Sequence, residues 1–580
     1  MKRIMLGNEA VARGAYEAGI TVAAAYPGTP STEITETIAK SYKDIYAEWS
    51  PNEKVALEVA IGASFAGARS ICSMKHVGLN VAADPLFTAS YTGINGGLVV
   101  MVADDPGMHS SQDEQDSRHY ARAAKLPMLE PADSQECKDF VVEAVKISEQ
   151  FDTPVIIRLT TRIAHSQSSV EFVERPEIQL KEYVKDPNKY VMMPGMAKKR
   201  HVFVEQRMLE LQDYSNNSGL NRIEWGDKKI GVITNGISYQ YSKETFGDNA
   251  SYLKIGMSYP LPDKLIKEFA KEVETLYVIE ELDPFFEDYI KSLGIKVIGK
   301  EKLTLLGEYS AALLREKLLG EKSELTELDI EAPGRPPVLC PGCPHRGTFH
   351  VLNKLKVKVS GDIGCYTLGA LPPTNGIDTC VCMGASIGIA HGMEKARGKD
   401  FARSTVAILG DSTFIHSGIT GLIDLVYNKG TSTVIILDNS ITGMTGHQQN
   451  PTTGFTIRNE PTKQVDLALL AKAVGVNRVR VADPFDLVGF EKVVKEELTA
   501  EEPSVIIAQR PCALLKSVKY EGAQRIDNSK CTKCLSCFRL GCPAIVRDGA
   551  GVKINETLCV GCKLCNKVCK FNAIEKAGDN

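Results

Sequence analysis

The chain has 580 residues, 43% of them hydrophobic and 24% charged, with a formal net charge of −4. That length can bury several cores, so three or four domains are expected, and the near-neutral balance gives no reason to expect nucleic acid as a partner. The longest apolar stretches, such as GGLVVMVA, are too short to span a bilayer, and the start MKRIMLGNEA lacks the apolar run of a signal peptide.

Short apolar runs alternate with helix-like segments along most of the chain. GLVVMVADD, TPVIIRLTT, KIGVITNG, TLYVIEE, TVAILGDS, STVIILDNS and PSVIIAQR read as buried parallel strands that end in polar or Gly-containing turns. This predicts an α/β fold of doubly wound domains. The stretch 181–229 mixes charge, Pro and Asn without sustained periodicity and reads as a long connector. A second boundary is expected at EAPGRPPV. Domains are therefore expected at 1–180, 230–330 and 335–515, with a different small domain over 525–580. From Arg525 onward there are 10 Lys and Arg against 5 Asp and Glu. Ten of the sixteen cysteines stand in tight groups of metal-ligand type, which fits a reducing compartment, and a cytoplasmic location is expected.

The basic tail reads CTKCLSCFRLGCP and then CVGCKLCNKVCK. Each half is C-x2-C-x2-C followed by a fourth Cys, the pattern of a two-cluster ferredoxin-like α+β domain, in which the fourth Cys of each run serves the other cluster. One [4Fe–4S] cluster is thus expected on Cys531, Cys534, Cys537 and Cys569. The second is expected on Cys559, Cys562, Cys565 and Cys542. Two departures stand out, four residues between Cys537 and Cys542 and Lys570 where Pro is usual, but neither removes a ligand. The alternative is a pair of zinc sites.

Upstream, Gly410, Asp411 and Ser412 end one apolar run, and Asn439 ends the next. A strand-end Asp, a later strand-end Asn and a backbone carbonyl can complete the octahedron of a Mg²⁺ that already holds diphosphate oxygens. This resembles the thiamine diphosphate motif GDG…N, with Ser412 replacing its second Gly and Ile441 supplying the carbonyl. Two ordinary strand-to-loop turns would look the same in isolation.

The segments AAYPGTPSTEI and NEKVALEVAIGASFAGARS resemble the pyrimidine-binding domain of the 2-oxoacid:ferredoxin oxidoreductases. The resemblance implies that Glu58 meets the aminopyrimidine ring, where a carboxylic acid favours the tautomer able to take up the thiazolium proton. It also implies that Thr29 contacts substrate. The alternative for Glu58 is a solvated helix charge. In the same terms 230–330 becomes a transketolase-C-like domain and 335–515 the diphosphate and Mg²⁺ domain.

The phrases NEKVALE, MKHVGLNVAADP, DDPGMHSSQDEQDSR and CPGCPHRG are similar to large subunits of the indolepyruvate:ferredoxin oxidoreductases. That resemblance implies an aryl 2-oxo acid substrate, coenzyme A as acyl acceptor, ferredoxin as electron acceptor, and a small second (beta) subunit in a dimer of heterodimers. Pyruvate or branched-chain 2-oxo acids are the alternative substrates. A non-oxidative thiamine decarboxylase with structural metal, or an electron-transfer scaffold without chemistry of its own, are the competing functions. No G-x-G-x-x-G follows a strand to suggest a nicotinamide route.

Cys340 and Cys343 of LCPGCPHRG, with Cys365 and Cys512, match the cysteines that hold a further [4Fe–4S] cluster beside thiamine in relatives of this superfamily. A four-cysteine zinc site and independent buried cysteines are the other readings. Cys380 and Cys382 read as core packing. His76, His109 and His345 lie in family-like loops and are open to a substrate role or a structural one.

Overall fold

A computed structural model describes residues 2–321, 334 and 336–578. The chain divides into two compact units, Met1–Asp329 and Ile330–Asn580. The boundary expected at EAPGRPPV falls largely outside the described residues. Among the described residues no helix is long and apolar enough to cross a membrane.

The seven runs expected as strands are all strands, and they build parallel sheets. The larger sheet of the first unit has seven strands in the order Met257–Tyr259, Met128–Leu129, Val155–Thr160, Leu98–Asp104, Ser70–Lys75, Val22–Ala25 and Tyr46–Trp49. All pair in parallel except the edge strand Met257–Tyr259. Leu98–Asp104 is buried along its whole length because helices cover both faces, and each Leu or Val sealed there contributes about 1.5–3 kcal/mol. From Val22–Ala25 the chain steps outward to Tyr46–Trp49 and then back to Ser70–Lys75 on the other side. That reversal is the topological switch point, where loops diverge and open a crevice at the carboxyl ends of the strands.

The second sheet of this unit runs Thr275–Ile279, Ile230–Asn235, Ser251–Ile255 and Arg222–Glu224. It is not sealed off from the first, since Met257–Tyr259 leaves it to extend the seven-stranded sheet. The turn between is held by Asn221, whose Oδ1 accepts the N–H groups of Gly256 and Met257 at 2.9 Å each.

The expected connector at 181–229 is corrected by the structure: it contains the 24-residue helix Pro194–Asn217. Its buried positions include Val204, Arg207, Leu211 and Ser215, a helical spacing in which polar residues occupy inward sites. Arg207 faces in because its guanidinium donates to the carbonyls of Asp152 (2.9 Å) and Ser90 (3.0 Å).

The second unit is built on a five-stranded parallel sheet ordered Lys358–Ser360, Thr405–Gly410, Thr433–Asp438, Ser504–Gln509 and Arg478–Ala482. Phe349, Phe490 and Val494 pack on one face, and Ile387, Leu422 and Ala471 on the other. Two short antiparallel pairs follow, Gln524–Ile526 with Ile574–Lys576 and Ile545–Asp548 with Gly551–Ile554. Their core is small and borrows Phe485 from the preceding domain. Below about 70–80 residues such a fold needs staples, and bound metal is one.

Candidate active site

Three chain segments meet at the switch point of the first unit. The loop after Val22–Ala25 carries Gly28 and Thr29, and a side chain on Gly28 would come within 3.1 Å of Lys75 Cβ. Lys75 ends the adjacent strand, is only 7% exposed, and donates from Nζ to the Ser110 carbonyl at 2.6 Å. Ser110 Oγ in turn donates to the Thr29 carbonyl at 3.5 Å. Among the described residues no carboxylate lies within ion-pair range of the Lys75 ammonium, and burial pulls this lysine below its ordinary value. His76 is buried beside Asp113, with Nε2 at 3.3 Å from Oδ1, whereas His109 is exposed and pairs with Glu308 at 3.1 Å. Lys75 was missed at the sequence level; the signal was a lysine closing an otherwise apolar, buried run.

Glu58 is not part of this cluster. It lies on the exposed face of the helix Glu53–Phe65 and pairs with Lys54. The inward carboxylate of that helix is Glu53, 5% exposed, at its first position. Asn52 caps the helix, accepting the Val55 N–H at 2.9 Å. Glu53 reaches across to Gly78, where a Cβ would meet its Oε1 at 2.6 Å, so Gly78 is required for space. Two glutamates five apart project about 140° from each other around a helix, so only one of them can face the core.

In the second unit Gly410 pairs with Leu437 in register, which brings Asp411 opposite Asp438 and leaves Asn439 one residue further along, both at the carboxyl edge of the sheet. Asp411, Ser412, Asn439 and Ile441 are all buried. Gly410 leaves room for Tyr366, whose ring edge would stand 3.0 Å from a Cβ there. Thr452 donates to Asp411 Oδ2 at 3.0 Å. Burial, with the Asp438 carboxylate nearby, pushes Asp411 up to about 7. A buried carboxylate met only by neutral donors and a like charge fits a cation site, and Mg²⁺ with diphosphate would relieve it. Asp362 organises the neighbouring loop by accepting the N–H groups of Gly384 (2.8 Å) and Ser386 (3.0 Å). His345 is buried edge-on to Tyr366, and burial pushes it down to about 4, which keeps it neutral.

Cys512 donates its N–H to the Asn439 carbonyl at 2.9 Å, and a Cβ on Gly443 would lie 3.2 Å from Cys365 Sγ. The Cys365 thiol in turn lies within charge range of Cys340, Cys343 and Cys512. The chain thus brings these four cysteines to the same edge as Asp411 and Asn439. Burial pushes Cys343 up to about 12 and Cys365 up to about 11, so thiolates there require positive charge close by.

In the tail, Cys531, Cys534, Cys537 and Cys569 line one cavity, and Cys542, Cys559, Cys562 and Cys565 line another. Four thiolates on one zinc ion would stand about 3.8 Å apart given Zn–S bonds near 2.3 Å. Among the described residues none of the cysteine sets closes to that range, as they would not around a larger cluster. Cys380 and Cys382 are exposed, which corrects the expectation of core packing: they sit in the loop before Ser386–Arg397, and the buried face of that helix begins only at Ser386.

Family models match three segments: Pyruvate flavodoxin/ferredoxin oxidoreductase, thiamine diP-bdg, over 13–229; the Thiamine pyrophosphate enzyme C-terminal TPP binding domain over 362–508; and a 4Fe-4S binding domain over 552–575. The indolepyruvate oxidoreductase subunit IorA of Archaeoglobus fulgidus is 41% identical, the match covering 100% of this chain and 98% of that protein. The chain belongs to the IorA family. Its IorA relative in Pyrococcus horikoshii is 40% identical over 99% of this chain and 97% of that protein. Outside the IorA family, the 2-oxoglutarate synthase subunit KorA of Archaeoglobus fulgidus matches 48% of this chain and 87% of its own at 25% identity. The chain is an oxidoreductase with thiamine pyrophosphate-binding and 4Fe-4S domains.

Proposed function

We propose that this chain is the large subunit of a cytoplasmic complex that converts indolepyruvate and coenzyme A to the acyl thioester and CO₂. Two electrons leave singly for two ferredoxins, and one proton is released. A small second subunit and a dimer of heterodimers complete the assembly. Thiamine diphosphate, when bound, supplies the nucleophilic carbon and electron sink that decarboxylation needs. Asp411, Asn439 and the Ile441 carbonyl would hold Mg²⁺ and through it the diphosphate. Glu53, buried where Glu58 is not, would hold a proton at the pyrimidine ring nitrogen. Thr29 and Lys75 would bind the substrate carboxylate, since Asp105 and Asp113 lie within charge range of the buried ammonium but form no ion pair with it among the described residues.

Each tail cavity would hold one [4Fe–4S] cluster, and Cys340, Cys343, Cys365 and Cys512 a third. The observation that carries this reading is a shared wall: Pro341 and Gly342 of the CPGC loop line the cavity of Cys542, Cys559, Cys562 and Cys565. A non-oxidative decarboxylase has no use for that contact. The test is an anaerobic assay of the co-expressed complex with coenzyme A and ferredoxin against pyruvate, 2-oxoglutarate, phenylpyruvate and indolepyruvate. Ferredoxin reduction strongest with indolepyruvate is expected; CO₂ release with no ferredoxin reduction would refute the reading.

A further inference from the structure

Arg346 is 4% exposed, yet its hydrogen-bond partners are all neutral carbonyls. Nη1 donates to Leu540 O at 2.9 Å, Nη2 donates to Leu339 O, and Nε and Nη2 approach Cys340 O at 3.4 Å each. Among the described residues no carboxylate lies within ion-pair range of it. A buried guanidinium is costly unless anions face it. Those facing this one are cysteines: Cys340 and Cys343 on one side, Cys542 and Cys562 on the other. Arg346 also lines the cavity of the second pair. The two loops abut here, since a Cβ on Gly342 of CPGC would meet Val560 at 2.6 Å and Cys562 at 3.6 Å in CVGC.

We propose that Arg346 is a positioning residue for electron transfer: it ties the CPGC loop to the Leu540 backbone and supplies the positive charge shared by the two clusters it faces. The inference rests on the cluster reading above. A cation between two thiolate-ligated clusters stabilises their reduced, more negative states and raises both potentials. The remaining tail cluster, on Cys531, Cys534, Cys537 and Cys569, belongs to a separate cavity that Arg346 does not line and would be insensitive to it.

The experiment is an EPR-monitored redox titration of the intact anaerobic complex as wild type, Arg346→Gln and Arg346→Lys, with iron counted in each. Arg346→Gln is expected to lower two of three potentials and leave one in place, while Arg346→Lys keeps all three near wild type. Full iron with three unshifted potentials in Arg346→Gln overturns the inference alone. About eight irons in the wild type, instead of about twelve, overturns the cluster reading and the inference with it. If Arg346→Gln does not retain iron, Arg346→Lys decides: wild-type potentials support a charge role, and a fall in two of them overturns it.

Discussion

Replacing Glu53 by Gln tests the active-site assignment most sharply, because Glu58 on the same helix serves as an internal control. Gln is isosteric, so the contact over Gly78 and the Asn52 cap should survive, and folding with it. What is lost is a proton that can be held at the pyrimidine ring. Positioned proton transfer is typically worth about 10²–10⁴-fold, or about 3–5 kcal/mol of barrier. Glu58→Gln removes only an exposed i,i+4 partner of Lys54, so kcat is expected to stay within about twofold. Both variants are assayed anaerobically for substrate-dependent ferredoxin reduction, with iron content and thiamine diphosphate binding measured alongside. A Glu53→Gln enzyme within tenfold of wild type, or a Glu58→Gln enzyme that falls by 10² or more with cofactors bound, refutes the assignment.

Cys340→Ala and Cys512→Ala should each lower iron from about twelve to about eight per chain while the two tail clusters keep their EPR signals; unchanged iron would remove the third cluster. Lys75→Met should raise KM for the 2-oxo acid by about ten- to a hundredfold with a smaller effect on kcat, the signature of lost ground-state binding, and an unchanged KM would exclude Lys75 from the site. Glu281 is buried, accepts the Tyr309 N–H at 2.8 Å, and is pushed by burial up to about 7 from an ordinary 4.5. Between those values the folded chain binds the extra proton, so this residue's contribution to stability falls as pH rises from about 4.5 through 7. Glu281→Gln should therefore be neutral near pH 4.5 and stabilising above pH 7, by on the order of 3 kcal/mol at most; denaturant melts of equal pH dependence in both proteins would refute this.

Strands were the most legible elements because their chemistry is repetitive: a run such as LVVMVAD has no second face to solvate, and its length and flanking turns settle the rest. The tail cysteines were legible for a related reason, since C-x2-C-x2-C spacing is itself the geometry, and the fold then gathers each expected quartet around its own cavity. Asp411 and Asn439 could be aligned from sequence only as strand ends. That their strands are immediate neighbours, which puts the two side chains at one edge, is a fact of sheet order and not of either segment.

What resisted reading has one physical cause, polar groups turned inward. Arg207 interrupts the apolar stripe of Pro194–Asn217, and a periodicity search counts it as solvent-facing although backbone carbonyls 55 and 117 residues away satisfy it. Glu53 and Glu58 are chemically identical, and only the packing of Gly78 against one of them distinguishes their faces. Lys75 and Arg346 each look like a surface charge until the strand end or loop that buries them is in place. Inward charge costs free energy unless something repays it, and structural carbonyls repay it for Arg207. Lys75 at the switch point is offset only by the more distant carboxylates of Asp105 and Asp113, and Arg346 faces two cysteine sets, so two of the residues hardest to place from sequence are ones proposed to act.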